Sequence, residues 1–516
     1  MRLPTLVSLA THVLLSSACL LDIEKEGGHV MDRSQPGIHR RQSHPNTAPV
    51  GTGDRFNNGA VVPRGVGLSP PGDTSTVYNS VEIRSAVKAL VEEFDLSYFE
   101  SPFKTYENRT IYGFRMGGKG KGKGKGKGQG PGTNSTSDIV TGFQVLLEAG
   151  IHARERGASD HLINFASDLL QADRANSGLQ YGGMSYTASD VKKALYLGII
   201  VVPVVNPDGL VYDQTTNLCW RKNRNPASAI PGNPNSVGVD LNRNFSPVWN
   251  FTQALVPGSG AASTNPSSEL FHGTGPLSEA ETKTIDWVLQ THPSIGWFLD
   301  VHSVQGVVLH GWCHDSNQAT DPTMNLLNPA YDGKRGAYPD GPTTSYKEYL
   351  PMRERDAMSI ISARMAGAMC DSTARGFFSL PAANFGASSG CSADQGNWRR
   401  AKFGGKWVKG FGIEFGYPNF DSPLFDGGPV LFGGVAVGRV FVGYLVLADD
   451  SFYERANSAL QNVQVGLADK SQVPGVNDAV DGLVAVFDGE GDDQKDEIAS
   501  HDVREPVVSI TLRLPL

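Results

Sequence analysis

The sequence predicts an α/β fold: a single large domain in which a mixed, mostly parallel β-sheet is covered by helices on both faces. Three observations lead there. Apolar runs of strand length alternate along the chain with segments of helical spacing. Several of those runs, such as Gly198 to Asn206 and Ile295 to His302, show no polar alternation, as strands buried on both faces require. A chain of 516 residues, 39% hydrophobic and 19% charged, supplies one large core with appendages to spare.

At the N-terminus, Arg2 is followed by an apolar stretch from Leu6 to Leu15 and by the small residues Ser16, Ser17 and Ala18. Residues 1–20 therefore read as a secretory signal peptide, too short to span a bilayer comfortably. Residues 21–75 are polar, rich in Pro, Gly, Asn and Ser, and hold no sustained period, so they are expected to be disordered or a short pro-segment, with Arg40-Arg41 as a processing site.

Order is expected from Thr76 onward, where Ile83, Val87, Leu90 and Val91 share one helical face. Tyr106 to Met116 and Ile139 to Glu148 read as the two strands of a hairpin. Between them lies a flexible insertion at 117–132, in which Lys119, Lys121, Lys123, Lys125 and Lys127 alternate with Gly. Helical spacing follows at Asp160 to Leu170 and Val191 to Leu195, and the strand from Gly198 ends in the turn Asn206-Pro207-Asp208-Gly209. Ser278-x-x-Glu281 is a capping box that opens a helix running to about His292. Another helix spans Met352 to Met369, and Gly410 to Tyr417 is the next strand. Residues 428–448 are apolar, but Arg439 and the many glycines there point to core and not to a membrane span. The folded domain is thus expected over 76–460, and 470–516 as an acidic, disordered tail.

A net charge of −8 gives no electrostatic reason for a nucleic-acid partner. With Cys19 in the cleavage region, Cys219, Cys313, Cys370 and Cys391 are an even set, compatible with two disulfides in any of three connectivities in an oxidising compartment. Asn108, Asn134, Asn244 and Asn250 head glycosylation sequons. A secreted, extracellular, monomeric glycoprotein is the expectation.

The chemistry begins at Glu148-Ala149-Gly150-Ile151-His152-Ala153-Arg154-Glu155, where an apolar strand runs out into a loop. His152 and Glu155 stand three apart, so an imidazole nitrogen and a carboxylate oxygen can both reach one Zn2+ at about 2.0 to 2.2 Å. A third ligand must come from elsewhere. Later segments add candidates: Trp220-Arg221-Lys222-Asn223-Arg224, Asp240-Leu241-Asn242-Arg243, Asp300-Val301-His302-Ser303 at a strand end, and Glu414, a lone acid in an apolar strand.

Taken in order, these segments resemble zinc metallocarboxypeptidases of the pancreatic carboxypeptidase A type, over about residues 76–450. The resemblance implies one Zn2+ held by His152, Glu155 and His302, with water in the fourth position. It implies Arg224 polarising the scissile carbonyl, Asn242 and Arg243 holding the substrate's terminal carboxylate, Glu414 as general base, and Arg154 as a further substrate contact. Peptide or protein C-termini would be the substrates. The chemistry asks for the same residue types: a three-ligand zinc with an open position lowers the pKa of water to about 7. A carboxylate beside that water accepts its proton, and a planar guanidinium is the best partner for an α-carboxylate. Asp240 can accept the second N–H of a ligand histidine, His152 being the candidate.

The sequence also departs from the family. Where a tyrosine usually closes over substrate, this chain has Phe385-Gly386-Ala387-Ser388-Ser389-Gly390, and His302-Ser303 is followed by Val304. A catalytically silent, secreted zinc- or peptide-binding protein on the same fold is the alternative reading. For the enzyme, the alignment puts Ser392 or Ala393 at the floor of the pocket for the C-terminal side chain, favouring neutral apolar or aromatic residues. A different gap would bring in Asp394 and select Lys or Arg.

Overall fold

A computed structural model describes residues 49–118, 140–181, 184–303, 307–315, 319–337, 346–373 and 378–415. The elements in chain order begin with α1 (Ser80–Phe94), β1 (Ser97–Lys104), β2 (Thr110–Met116), β3 (Val145–Ala149), α2 (Ala158–Ala175), β4 (Leu179–Tyr181) and β5 (Met184–Tyr186). They continue with α3 (Ala188–Tyr196), β6 (Ile199–Val202), α4 (Pro207–Thr216), α5 (Phe251–Ala254), α6 (Ala280–Thr291), β7 (Trp297–Ser303) and β8 (Val307–His310). The last are α7 (Met352–Thr373), β9 (Phe378–Pro381), α8 (Ala382–Phe385), α9 (Ser392–Phe403) and β10 (Lys409–Phe415).

Eight strands form one mixed sheet in the order β1-β2-β6-β3-β7-β10-β8-β9. The pairs β6–β3, β3–β7, β7–β10 and β8–β9 are parallel, and the other three are antiparallel. Because side chains alternate along a strand, each face of the sheet collects its own core. Val145, Leu147, Leu299, Val301, Phe411 and Ile413 pack on one face with Ile83 of α1, Leu162 of α2 and Met358 of α7. Leu146, Ile200, Val202 and Phe298 pack on the other with Ile285 and Val288 of α6 and Ala393 of α9. The expected α/β architecture, with helices on both faces, is what forms.

Helix ends follow local chemistry. Asn79 caps α1 by accepting from Val81 N and Glu82 N, while Glu82 accepts from Asn79 N, a closed capping box. The box expected at Ser278 and Glu281 does not close. Ser278 Oγ donates instead to Glu279 Oε1 (2.6 Å), and the buried Glu281 accepts from Asn223 Nδ2 (3.3 Å), because its carboxylate faces the interior rather than the helix end.

Two further expectations are corrected. β2 and β3 do not make a hairpin, since β6 lies between them; β2 instead pairs with β1 across a short turn. Nor are residues 49–75 disordered. Gly65 N and Gly67 N donate to the two oxygens of Asp168 (3.0 and 2.8 Å), and Arg55 Nε reaches Glu82 (2.6 Å). Order here comes from carboxylates on distant helices taking up main-chain N–H groups, which leaves no periodicity in the segment itself. Residues 1–20, the Gly/Lys tract beyond residue 118, 428–448 and 470–516 lie outside the described residues. Among the described residues no helix is long and apolar enough to cross a membrane.

Candidate metal and catalytic centre

β3, β7 and β10 run parallel, so their C-terminal ends share one edge of the sheet, the usual position of ligand sites in α/β folds. β3 passes into the loop 150–157, whose first residue, Gly150, has φ 68°, a left-handed conformation in which a β-carbon would be strained. Asn206 fastens the loop, donating from N to Gly150 O (3.1 Å) and from Nδ2 to Ile151 O (3.2 Å). Ala153 N is bonded to Arg221 O (3.2 Å). Glu155 then stands just ahead of α2.

Three of the predicted residues meet there. His152, Glu155 and His302 are buried, with ligand atoms all within 4.8 Å of one another. Glu155 Oε1 lies 2.7 Å from His152 Nδ1, and Oε2 lies 2.9 Å from His302 Nδ1. The outer nitrogens are held by acids: His152 Nε2 is 3.2 Å from Asp240, as anticipated, and His302 Nε2 is 2.8 Å from Asp300. Both Nδ1 atoms therefore face a common point with Glu155. Two imidazoles and a carboxylate, buried and backed by second carboxylates, are a donor set that fits Zn2+.

The electrostatics follow from this crowding. Burial works against ionised Glu155, but the charges of His152 and His302 outweigh it and hold its carboxyl well below the usual range. Burial likewise opposes ionised Asp240, and Arg221 and His152 overcome it. Burial disfavours protonated His302, yet Asp300 and Glu155 raise its pKa well above the ordinary value. Behind the site, Glu148 faces Asp300 in the β3–β7 register, and burial with that neighbour raises the pKa of its carboxyl well above the ordinary value.

The two arginines of the run have different surroundings. The guanidinium of Arg224 sits 3.7 Å from the ring centre of Tyr212 and 4.5 Å from that of Trp220, with Nε and Nη1 buried and without a hydrogen-bond partner. Arg221 faces the acids, with Nε 3.1 Å from Asp240 Oδ2 and Nη1 3.7 Å from Glu155 Oε1. Spacing alone did not distinguish them.

Asn242 Nδ2 lies 3.5 Å from His302 Nε2, and Arg243 Nη1 donates to Asn242 O (2.7 Å). Arg154 flanks the loop, 3.0 Å from Glu269. Glu414 is the register partner of His302 on the neighbouring strand. Phe385 ends α8, half-buried, and the loop after it is tied down by Ser388 N to Cys313 O (2.7 Å) and Phe245 N to Gly390 O (3.0 Å).

The pocket-floor candidates divide. Ala393 is packed in the core, and Ser392 is buried with its hydroxyl donated to Asp300 (2.6 Å), so Ser392 does not present that hydroxyl as a floor. Asp394 is buried too, accepting from Cys313 N (2.8 Å) and lying 3.4 Å from His314. Cys313 is disulfide-bonded to Cys391, and Cys219 is also in a disulfide. Asp300, Glu148 and Arg221 are the site residues that sequence reasoning gave no role; the period-2 spacing of Asp300 and His302, which puts both on one face of β7, was the available signal.

Among known proteins, mouse carboxypeptidase A4 is 35% identical over 179 residues, 34% of this chain and 37% of that protein. Human carboxypeptidase O is 33% identical over 178 residues, 34% of this chain and 41% of that protein. The chain thus spans well under half the length of these relatives. The crystal structure of carboxypeptidase A from Helicoverpa armigera shares the fold, with a TM-score of 0.51 over 75% of this chain and 77% of that one, at 20% identity. The family model for zinc carboxypeptidases, Peptidase_M14, matches residues 91–373, more than half of the sequence, and the chain belongs to that family.

Proposed function

We propose that this protein is a secreted metallocarboxypeptidase that holds one zinc ion per chain and hydrolyses the C-terminal peptide bond of peptides or proteins. The observation that carries the reading is the single carboxylate of Glu155 facing the Nδ1 atoms of both His152 and His302. Zinc bound there would supply a Lewis acid and water acidified to near neutral pKa. Glu414, beside His302, would be the carboxylate that takes up the proton of the attacking water and passes it to the leaving amine. Arg224, whose Nε and Nη1 have no hydrogen-bond partner, would stabilise the negative charge that develops on the scissile carbonyl oxygen, while Arg221 holds Asp240 behind His152. Asn242 and Arg243 receive the terminal carboxylate, with Arg154 as an outer contact and Phe385 as an apolar cover.

A neutral C-terminal side chain is the preferred substrate: Asp394 is buried, with Oδ2 taken up by Cys313 N and His314, which weighs against its serving as a selector for Lys or Arg. The disulfide between Cys313 and Cys391 supports an oxidising compartment. Glu414 also weighs against a catalytically silent copy, which has no need of an acid beside the metal ligands.

The test is an assay of purified protein on blocked dipeptides ending in Phe, Leu, Ala, Lys or Arg, with and without chelator. Chelator-sensitive release of Phe or Leu is expected. No turnover in zinc-loaded protein sinks the enzyme reading, and a clear preference for Lys or Arg sinks the neutral pocket.

A further inference from the structure

The outer nitrogens of the two ligand histidines are joined by one continuous chain of hydrogen bonds. From His152 Nε2 it passes to Asp240 Oδ1 (3.2 Å), which accepts from Asn242 N (3.1 Å). Asn242 Oδ1 accepts from Ser392 N (2.8 Å), and Ser392 Oγ donates to Asp300 Oδ2 (2.6 Å). Asp300 Oδ2 returns to His302 Nε2 at 2.8 Å. Each link comes from a different part of the fold: the loop 150–157, the turn at 240–243, the first residue of α9, and the end of β7.

We infer that Ser392 is a positioning residue for the metal site, setting Asp300, and through it His302, from the same backbone that carries Asn242. Three features support this. Ser392 and Asp300 are both fully buried, so their bond does not exchange with water. Asp300 Oδ2 serves two partners, and without the hydroxyl one of the two contacts that set its orientation toward His302 is lost. Asn242 receives substrate under the proposed function, and its Oδ1 is already committed to Ser392 N, so Nδ2 is the atom left to face a carboxylate. Ser392 thus fixes which end of the Asn242 amide substrate meets, and couples that choice to the orientation of a metal ligand.

This inference rests on the zinc reading of the site, and the experiment separates the two. Zinc affinity is measured by competition with a chromogenic chelator in wild type, Ser392→Ala, Asp300→Ala and the double variant, alongside the melting temperature of each metal-free protein. Ser392→Ala should weaken zinc binding about tenfold, the low end of the roughly 10- to 100-fold range for outer partners of metal ligands. Its metal-free melting temperature should barely move, its ranking of C-terminal residues should not change, and the double variant should bind zinc no worse than Asp300→Ala alone. Ser392→Thr should keep zinc affinity, and Ser392→Val, which has the shape of Thr without the hydroxyl, should lose it. That pair decides the matter if the alanine variant misfolds. Unchanged affinity in Ser392→Ala, losses in the double variant equal to the product of the singles, or an altered side-chain preference would overturn the inference. Wild type that binds no zinc would instead remove the proposed function itself.

Discussion

Glu414 and His302 are partners in the parallel register of β10 and β7, so their side chains rise from the same face of the sheet at the edge where the ligand cluster lies. A carboxylate placed next to a ligand histidine, but outside the group of ligand atoms, is suited to take a proton and not to bind the ion. Glu414→Gln should therefore retain zinc in full by elemental analysis while kcat falls by about 10²- to 10⁴-fold. His302→Ala gives the opposite result, loss of the metal itself. A Glu414→Gln enzyme near wild-type activity would move the base to another residue.

Arg221 and Arg224 lie in one five-residue run but in different surroundings: Arg221 is buried and ion-paired with Asp240, whereas Nε and Nη1 of Arg224 have no hydrogen-bond partner. Under the proposed function Arg224→Ala should cost about 10²- to 10³-fold in kcat, the range for loss of one oxyanion donor. Arg221→Ala should instead leave a buried carboxylate unpaired and lower stability by about 3 to 5 kcal/mol. Kinetics and denaturant melts on the two alanine variants tell the roles apart. An Arg224→Ala enzyme near wild-type kcat would move the carbonyl contact away from Arg224.

His314 is fully buried between two acids, with Nε2 3.0 Å from Glu348 and Nδ1 3.4 Å from Asp394. Burial alone would depress its pKa, but hydrogen bonds to Asp394 and Glu348 and their charges raise it to about 9. A histidine whose folded pKa exceeds its unfolded value of about 6.5 adds stability that is fully present below pH 6.5. That stability is lost as pH rises through about 9. At pH 7, His314→Gln leaves two buried carboxylates uncompensated and should cost about 3 to 5 kcal/mol. Between pH 8 and 10 the gap to wild type should close. Parallel stability curves for the two proteins across that range would show that His314 does not titrate there.

Much of the centre was legible because it depends on local order. His152 and Glu155 follow an apolar strand three residues apart, a spacing the sequence displays directly, whereas His302 was joined to them, and Glu414 given a role, only through the resemblance to the family. Contacts made across long separations left no such trace. Asp168 orders Gly65 and Gly67 through main-chain N–H groups, and neither glycine differs in sequence from one in a disordered tract. The pairing of β2 with β1 was not legible, because Pro102 and polar residues blur the alternation of Ser97 to Lys104, which has no strand pattern in the sequence. Ser392 read as pocket lining because an alignment supplies position but not the direction of a hydroxyl. Only the fold shows that Asp300 claims it.

The sequons at Asn108, Asn244 and Asn250 are equivalent in sequence and unlike in the fold. Asn108 is exposed in the turn between β1 and β2, at φ 61°, and Asn250 is exposed ahead of α5, with Thr252 Oγ1 donating to its Oδ1 (3.0 Å). Asn244 is fully buried. Its Nδ2 donates to His272 O (2.9 Å), Gly275 O (3.1 Å) and Ser278 Oγ (2.9 Å), while Oδ1 accepts from Thr282 Oγ1 (2.7 Å). A sugar on that nitrogen would displace these partners and leave buried acceptors unmet, at about 1 to 3 kcal/mol each, next to the segment that carries Asn242 and Arg243. Protein exported from a glycosylating host should therefore carry glycans at Asn108 and Asn250 and none at Asn244 in the active fraction. Asn108→Gln and Asn250→Gln should each remove one glycan mass without loss of activity, whereas Asn244→Gln should destabilise the fold and leave the glycan mass unchanged. Peptide mapping that found a sugar on Asn244 in active enzyme would contradict the burial on which this assignment stands.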